Sequence, residues 1–544
     1  MYALLAVFPI ILALLLMVSF NVKSGLSLLI AWIVGCGIAF GVWRMDLPYI
    51  IGFSVSGFIR AADVILIIFG AVFLLNTLSR EGIIDSIGRG FSRISQDRRI
   101  QILIIGWMFG AFIEGAAGFG TPAALAAPLL VGIGIPPFAA ALACLIANST
   151  PVCFGVIGVP SMTGFATILP AVEQLADVDP AAYAAQLYGM VGLINMLTGT
   201  FIPFVIIMMM IVFFFGKTRS FKDGLAVFPL CLYAGASFTV PYYLLAAFVG
   251  PELPTLLGSI IGFVLLIGGV KAGLFVPKTV WRFPGDAPIV ENDNQKEDIS
   301  IVKAWAPYAI IATFLILTRA PWLPFKDIVR NTFISFTNIM GIQGVNYNWA
   351  IFNNPGIFPF IIITVLLLFF YGLSANDSKQ IIAKTLKQIT NAAVALSGGV
   401  ALVQIMTNTH FNTSGMENMT TVVAKTLAEV FGGMYPMVAP LVGAFGAFVA
   451  GSNTVSNVMF ARLQFDTALM VNLPTILICA QQFVGGAVGS MICVNSVVAV
   501  AATTGAHGKE GQLIMAGMVP CALYIFAVSA VAFILLAMNY NFIG

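Results

Sequence analysis

Apolar runs of about twenty residues follow one another along the whole chain, and this leaves few folds open. As a helix, a run of this length crosses the roughly 30 Å hydrocarbon core of a bilayer. Spans are expected at about 3–20, 25–43, 61–79, 137–158, 187–215, 225–248, 255–274, 304–319, 355–373, 389–408, 472–500 and 514–537. Composition agrees. Of 544 residues, 60% are hydrophobic and 9% charged, with a mean hydropathy of +1.01; soluble domains carry about 25% charged residues. The expected class is an all-α polytopic membrane protein of about 12 transmembrane helices, without a sizeable soluble domain. A net charge of +3 does not suggest nucleic-acid binding. The apolar start, Tyr2 to Phe20, lacks a basic leader and a small-residue cleavage site, so it reads as the first span. The seven cysteines lie in or beside apolar segments with no C-x-x-C pair, which suits small packing thiols.

Two further apolar regions, 101–135 and 434–470, are interrupted by Gly, Pro and small polar residues. Loop charges say how they enter the membrane. Arg80, Arg89, Arg93, Arg98 and Arg99 mark the 80–99 loop as cytoplasmic, as Lys217, Arg219 and Lys222 do for 216–223 and Lys379, Lys384 and Lys387 do for 374–388. The 159–186 loop carries Glu173, Asp177 and Asp179 without Lys or Arg, and is expected outside. These sides agree only if 101–135 enters and leaves on one face, as a re-entrant hairpin. The same parity makes 434–470 a hairpin from the outer face and puts both termini outside. The polar segment 277–303 reads as a cytoplasmic linker.

The two regions resemble each other. "FGAFIEG" at 109–115 returns as "FGAFVAG" at 445–451, and "GAVFLLNTLSREGIIDSIGRG" at 70–90 aligns loosely with 399–419. The two echoes keep their order and nearly their spacing. Because 61–79 is expected to run inward and 389–408 outward, the halves read as inverted repeats, the pattern of secondary transporters. The organisation expected is a first repeat at 1–200 (hairpin 101–135, broken helix 137–158), connecting helices and linker at 201–303, a second repeat at 304–510 (hairpin 434–470, broken helix 472–500), and a C-terminal helix at 511–544.

The hairpin tips are "EGAAGFGTP" (114–122) and "AGSNTVSN" (450–457); the helix breaks are "ANSTP" (147–151) and "CVNSV" (493–497). Non-helical backbone at membrane depth is tolerated only inside protein or beside a wet cavity. Glycines such as Gly115, Gly118 and Gly120 let backbone approach a ligand, and half-helix N-termini favour anions. Thr121, Asn148, Ser149, Thr150, Ser452, Asn453, Thr454, Asn495 and Ser496 add neutral polar groups. The expected ligand is a small carboxylate. Glu114 is an acid within the membrane, which needs a partner or a function. The second repeat has Ala450 in its place, so the acid is not required to build a hairpin, and proton coupling is the reading preferred. Arg60 and Asp63 share one helical face. They either pair at an interface, or Arg60 binds the carboxylate while Asp63 relays a proton. His410 and His507 read as solvated loop residues.

"GAFIEGAAGFGTPAALAAPLLVGIGIPP" (110–137), followed by "ANSTP" and by "GSNTVSN" (451–457), resembles the signature of the bacterial L-lactate permease family. The resemblance implies a proton symporter of the bacterial inner (plasma) membrane for lactate, glycolate and related 2-hydroxy-monocarboxylates. The chain also resembles elevator-type ion transporters, whose paired tips carry Ser-Asn-Thr. That likeness covers Ser452, Asn453 and Thr454 but not the first tip, where Gly118, Phe119 and Gly120 stand, and so favours protons over sodium. The scaffold would be 197–274 and its flanking helices. The partners implied are the carboxylate, protons and the bilayer, with a homodimer as an allowed assembly; no cofactor or metal is called for. Sodium coupling or a dicarboxylate substrate is the alternative. A channel suits closed tips poorly, and an intramembrane enzyme is disfavoured because no H-E-x-x-H occurs and the two His are far apart.

Overall fold

Long apolar helices dominate the protein, seen here in a computed structural model. The structure describes residues 2–83 apart from 19 and 21, 94–116, 118, 121–215, 221–283, a few positions between 306 and 317, 332–349 apart from 343 and 344, 356–506, 509–540 and 542. The helices are α1 (Tyr2–Val18), α2 (Ser24–Gly41), α3 (Leu47–Arg80), α4 (Arg98–Ala116), α5 (Thr121–Gly132), α6 (Pro137–Ala147), α7 (Gly155–Val172), α8 (Pro180–Val212), α9 (Phe228–Phe248), α10 (Pro254–Lys271), α11 (Ile362–Phe370), α12 (Ala375–Asn408), α13 (Met419–Phe431), α14 (Tyr435–Ala450), α15 (Asn453–Met470), α16 (Thr475–Gly489), α17 (Val494–Thr504) and α18 (Glu510–Ala537). Among the described residues, nine helices are long and apolar enough to cross a membrane, or ten if α12, bent by 41°, counts as one span. Four shorter apolar helices, Tyr2–Ala13, Gly25–Gly41, Pro137–Ala147 and Ile357–Phe370, account for part of the difference from twelve. Most of the expected span 304–319 falls outside the described residues.

The two longest helices, α3 and α12, have 34 residues each and run antiparallel. Asn76, near the end of α3, donates to Thr385 (3.0 Å) and Gln388 (2.7 Å), near the start of α12. At the other end Tyr49 and Phe53 pack on Phe411. Between them Gly57 lets the backbones meet, since a Cβ there would lie 2.6 Å from the Ala401 Cα. An exposed ion pair, Arg80–Asp377 at 2.5 Å, joins the C-terminus of α3 to the N-terminus of α12, each charge at the end its helix dipole favours. The span expected at 61–79 thus starts at Leu47, and Arg60 and Asp63 lie mid-helix instead of at its beginning.

A similar order of elements then occurs twice. α4 and α5 are two arms that pack on each other, and α14 and α15 do the same around Gly451–Ser452. Each pair is followed by a broken helix: α6, a 3₁₀ turn (Pro151–Phe154) and α7; then α16, a 3₁₀ turn (Ser490–Ile492) and α17.

Buried apolar side chains form two large clusters. One joins α4–α10 with α16–α18. The other joins α1–α3 with α12 and α13. α15 supplies Ala461 and Phe465 to the first and Val455, Val458 and Met459 to the second. The helices of 197–274 therefore share a core with the hairpins.

A small antiparallel hairpin, β1 (Ile334–Phe336) and β2 (Tyr347–Trp349), adds two strands to the helices. It grips the middle of α3. Asp63 accepts hydrogen bonds from Tyr347 (3.1 Å) and Trp349 (2.6 Å), while Arg60 lies over the Tyr347 ring and donates to the Asn346 carbonyl.

Candidate binding site

The two tips and the two breaks meet at one pocket. It is lined by Glu114 from α4, by Asn148, Val152, Val156 and Pro160 from the first broken helix, by Gly451, Ser452, Asn453 and Thr454 from the second tip, and by Ser490 and Ser496 from the second broken helix. The cavity measures about 40 Å³, room for a few water-sized groups.

Each wall is shaped by local sequence. α14 ends at Gly451, whose φ of +74° closes the helix in the left-handed region that glycine adopts without strain. Ser452 then turns the chain into α15 in extended conformation, and its side chain makes no capping bond. The first amides of α15 have no intrahelical partner, and the positive end of this buried 18-residue helix borders the pocket. Asn453 is 2% exposed, yet neither its Nδ2 nor its Oδ1 meets a partner. Leaving such atoms unmet costs about 1–3 kcal/mol each.

The end of α4 supplies the carboxyl. Glu114 lies in the last turn of α4, 3% exposed, with Asn148 as its hydrogen-bonding neighbour. Glu114 Oε2 and Asn148 Oδ1 are also buried without a partner. Gly155 makes space for this carboxyl: a Cβ there would overlap it. Beyond Gly155 the backbone turns through Val156 (φ +45°) and Ile157 (φ +54°). A left-handed conformation costs an ordinary residue about 1–2 kcal/mol, and such strain concentrates where function needs it.

Of the residues singled out from sequence, Glu114, Asn148, Ser452, Asn453, Thr454 and Ser496 line this pocket. Others serve its frame. Ser149 donates to the Ile146 carbonyl (2.7 Å) and Thr150 bonds Tyr524 (3.1 Å). Gly115 lets α4 close on α10, where a Cβ would lie 2.6 Å from the Leu256 nitrogen. Gly118, with φ +55°, lies beside Glu114 and Val156. Two carbonyls at the first break are also taken: Thr150 accepts from Tyr242 (3.2 Å) and Pro151 from Thr255 (2.7 Å). Arg60 and Asp63 do not line the pocket; the β-hairpin occupies them. Gly120 and His507 lie outside the described residues, as do the side chains of Thr121 and Asn495. Ser490, Val152, Val156 and Pro160 were missed by sequence reading. The second break, placed at 493–497, begins at the 3₁₀ turn of Ser490, which carries no helix-breaking residue.

The two halves of the chain touch directly here. Asn457 of α15 donates to the Pro160 carbonyl of α7 (3.0 Å), while within the second half Gln482 of α16 donates to Ser456 of α15 (3.1 Å). Among the described residues, no basic side chain lines the pocket. Any anion is therefore met by amides, hydroxyls and a helix end, with one carboxyl beside it. No cluster of three or more His, Cys, Asp or Glu able to hold a metal is found among the described residues.

Comparison with known proteins gives a consistent picture. The profile of the family described as L-lactate permease matches residues 2–539. The L-lactate permease of Bacillus subtilis is 32% identical, the match covering 82% of this chain and 80% of that one. The L-lactate permease of Streptococcus iniae is 30% identical over 88% of this chain and 93% of its own. A glycolate permease of Escherichia coli K12 is 28% identical over 94% of this chain and 91% of its own.

Proposed function

This chain belongs to the L-lactate permease family, and from that premise we propose that it is a secondary carrier importing L-lactate, glycolate or a closely related 2-hydroxy-monocarboxylate with protons across a bacterial plasma membrane. One observation carries the reading: unpartnered polar atoms of Glu114, Asn148 and Asn453 surround a small pocket where two hairpins and two broken helices meet. The carboxylate rests at the N-terminus of α15, against its free amides, Ser452, Asn453 and Thr454. Glu114 carries the proton. It lies at the negative end of α4, where the dipole favours positive charge, and the proton it holds offsets the charge of the bound anion.

The inverted-repeat reading is supported by the twice-repeated order of elements and by the antiparallel course of α3 and α12. Alternating access by an elevator motion is supported by the two apolar clusters, which supply two bodies with α15 at their boundary. In this scheme the helices of 197–274 travel with the hairpins and α1–α3, α12 and α13 form the scaffold. Both termini face outward and the hairpins are re-entrant.

A second reading, sodium coupling, rests on three unpartnered oxygens at the pocket: Glu114 Oε2, Asn148 Oδ1 and Asn453 Oδ1. Hard cations take oxygen ligands of this type. One experiment separates the readings. Purified protein in liposomes is given radiolabelled L-lactate under an imposed pH gradient, with and without sodium. Concentrative uptake driven by the pH gradient alone supports proton symport; strict dependence on sodium sinks it.

A further inference from the structure

We infer that the apolar side of the pocket, Val152 and Val156, reads the substituent on C2 of the substrate and sets the longest chain the carrier accepts. The inference rests on the 2-hydroxy-carboxylate reading and deepens it. The lining divides by chemistry. Asn148, Ser452, Asn453, Thr454 and the start of α15 offer polar groups enough for a carboxylate and a neighbouring hydroxyl. Val152, Val156 and Pro160 offer only carbon from their side chains. A 2-hydroxy acid whose oxygens are met by the first set has two groups left on C2, a hydrogen and one that varies and faces the second set: hydrogen in glycolate, methyl in lactate.

The apolar wall cannot easily retreat. Val156 is fixed in a left-handed turn with its Cγ2 against Gly118, so that no Cβ fits there. As a β-branched residue it has few rotamers to choose from. Val152 sits in the 3₁₀ turn whose Pro151 carbonyl is tied to Thr255. Both are nearly inaccessible, at 2% and 6% exposure. The cavity is small, about 40 Å³, so an added methylene on C2 is met by this wall. An apolar pocket discriminates by roughly 10–200-fold per methylene.

The test uses the full chain in liposomes and counterflow of radiolabelled L-lactate against unlabelled glycolate, L-lactate, L-2-hydroxybutyrate and L-2-hydroxyvalerate. In the unaltered protein 2-hydroxybutyrate should compete at least about tenfold more weakly than lactate. Val156→Ala or Val152→Ala should cut that ratio to about threefold or less, and Val152→Leu should shift preference from lactate toward glycolate. Because Val156→Ala alters a strained turn, the two substitutions at Val152 carry the test if that variant does not reach the membrane. Lactate exchange with an unchanged ranking in the Val152 variants would overturn the inference alone. Equal competition by lactate and 2-hydroxybutyrate in the unaltered protein would also overturn it. Absence of exchange for every 2-hydroxy acid would overturn the carrier reading and this inference together.

Discussion

Glu114 and Gly155 are fitted to one another, and the residue scale is where the proton reading is tested. Glutamine keeps the shape of Glu114 and cannot ionise. Glu114→Gln should therefore lose uptake driven by a pH gradient while retaining some lactate counterflow; concentrative uptake at the unaltered rate would remove Glu114 as the coupling group. Gly155→Ala should crowd the Glu114 carboxyl. Overpacking of this kind costs about 1–3 kcal/mol, which as lost binding is roughly 5–150-fold in lactate affinity. If the clash with the carboxyl is the cause, Glu114→Ala in the same chain should recover much of that loss, because contacting residues are non-additive. Binding measured by tryptophan fluorescence or thermal shift would show additive losses if Gly155 acted elsewhere.

The β-hairpin and α3 make the clearest test at the level of elements. On the proposed topology the hairpin is extracytoplasmic, and it holds two charged residues in mid-helix. Tyr347 and Trp349 both donate to Asp63. Burial, and then the adjacent Asp63 carboxylate, holds the Tyr347 phenol above its usual titration range, so it remains a donor at physiological pH. Hydrogen bonds to charged groups contribute about 1.5–3 kcal/mol. Tyr347→Phe and Trp349→Phe should each speed amide exchange at 334–349 by roughly tenfold or more. Lactate affinity should hold, since neither residue lines the pocket. Unchanged exchange in both variants would mean that the apolar contacts of Ile339, Ile342 and Val345 hold the hairpin without Asp63.

For the whole molecule the question is whether the two clusters move past each other. On the elevator scheme the sliding boundary is where the second hairpin meets the scaffold helices: Gly399 of α12 and Val458 of α15 adjoin there, a Cβ at Gly399 falling 3.6 Å from Val458 Cγ1. That spacing is close to what a disulfide requires. In a background with the seven native cysteines replaced, Gly399→Cys with Val458→Cys should support uptake when reduced, lose it on oxidation, and regain it with reductant. Full transport by quantitatively cross-linked protein would rule out sliding at this boundary.

Periodicity and composition were enough to determine the membrane class and the helical character of the chain, and to mark two regions where glycine, proline and small polar residues interrupt it. Twenty-residue apolar runs have one economical structure in lipid, and glycine, proline and small polar residues at membrane depth are conspicuous there. The same logic picked out Glu114 and the Ser452–Thr454 tip, because a buried acid and a polar tip stand out against apolar surroundings. Tertiary structure decided which polar residues face a shared cavity. Ser149 and Thr150 have the same side chains as a ligand site would use, yet their partners are Ile146 and Tyr524, distant or invisible in local pattern. Arg60 and Asp63 answer to a hairpin nearly 290 residues away in the chain. Val152 and Val156 look like any core valine until the 3₁₀ turn at Pro151 and the left-handed start of α7 bring them to the pocket. Side-chain direction at a helix break depends on what packs behind it, and that information is spread over both halves of the sequence.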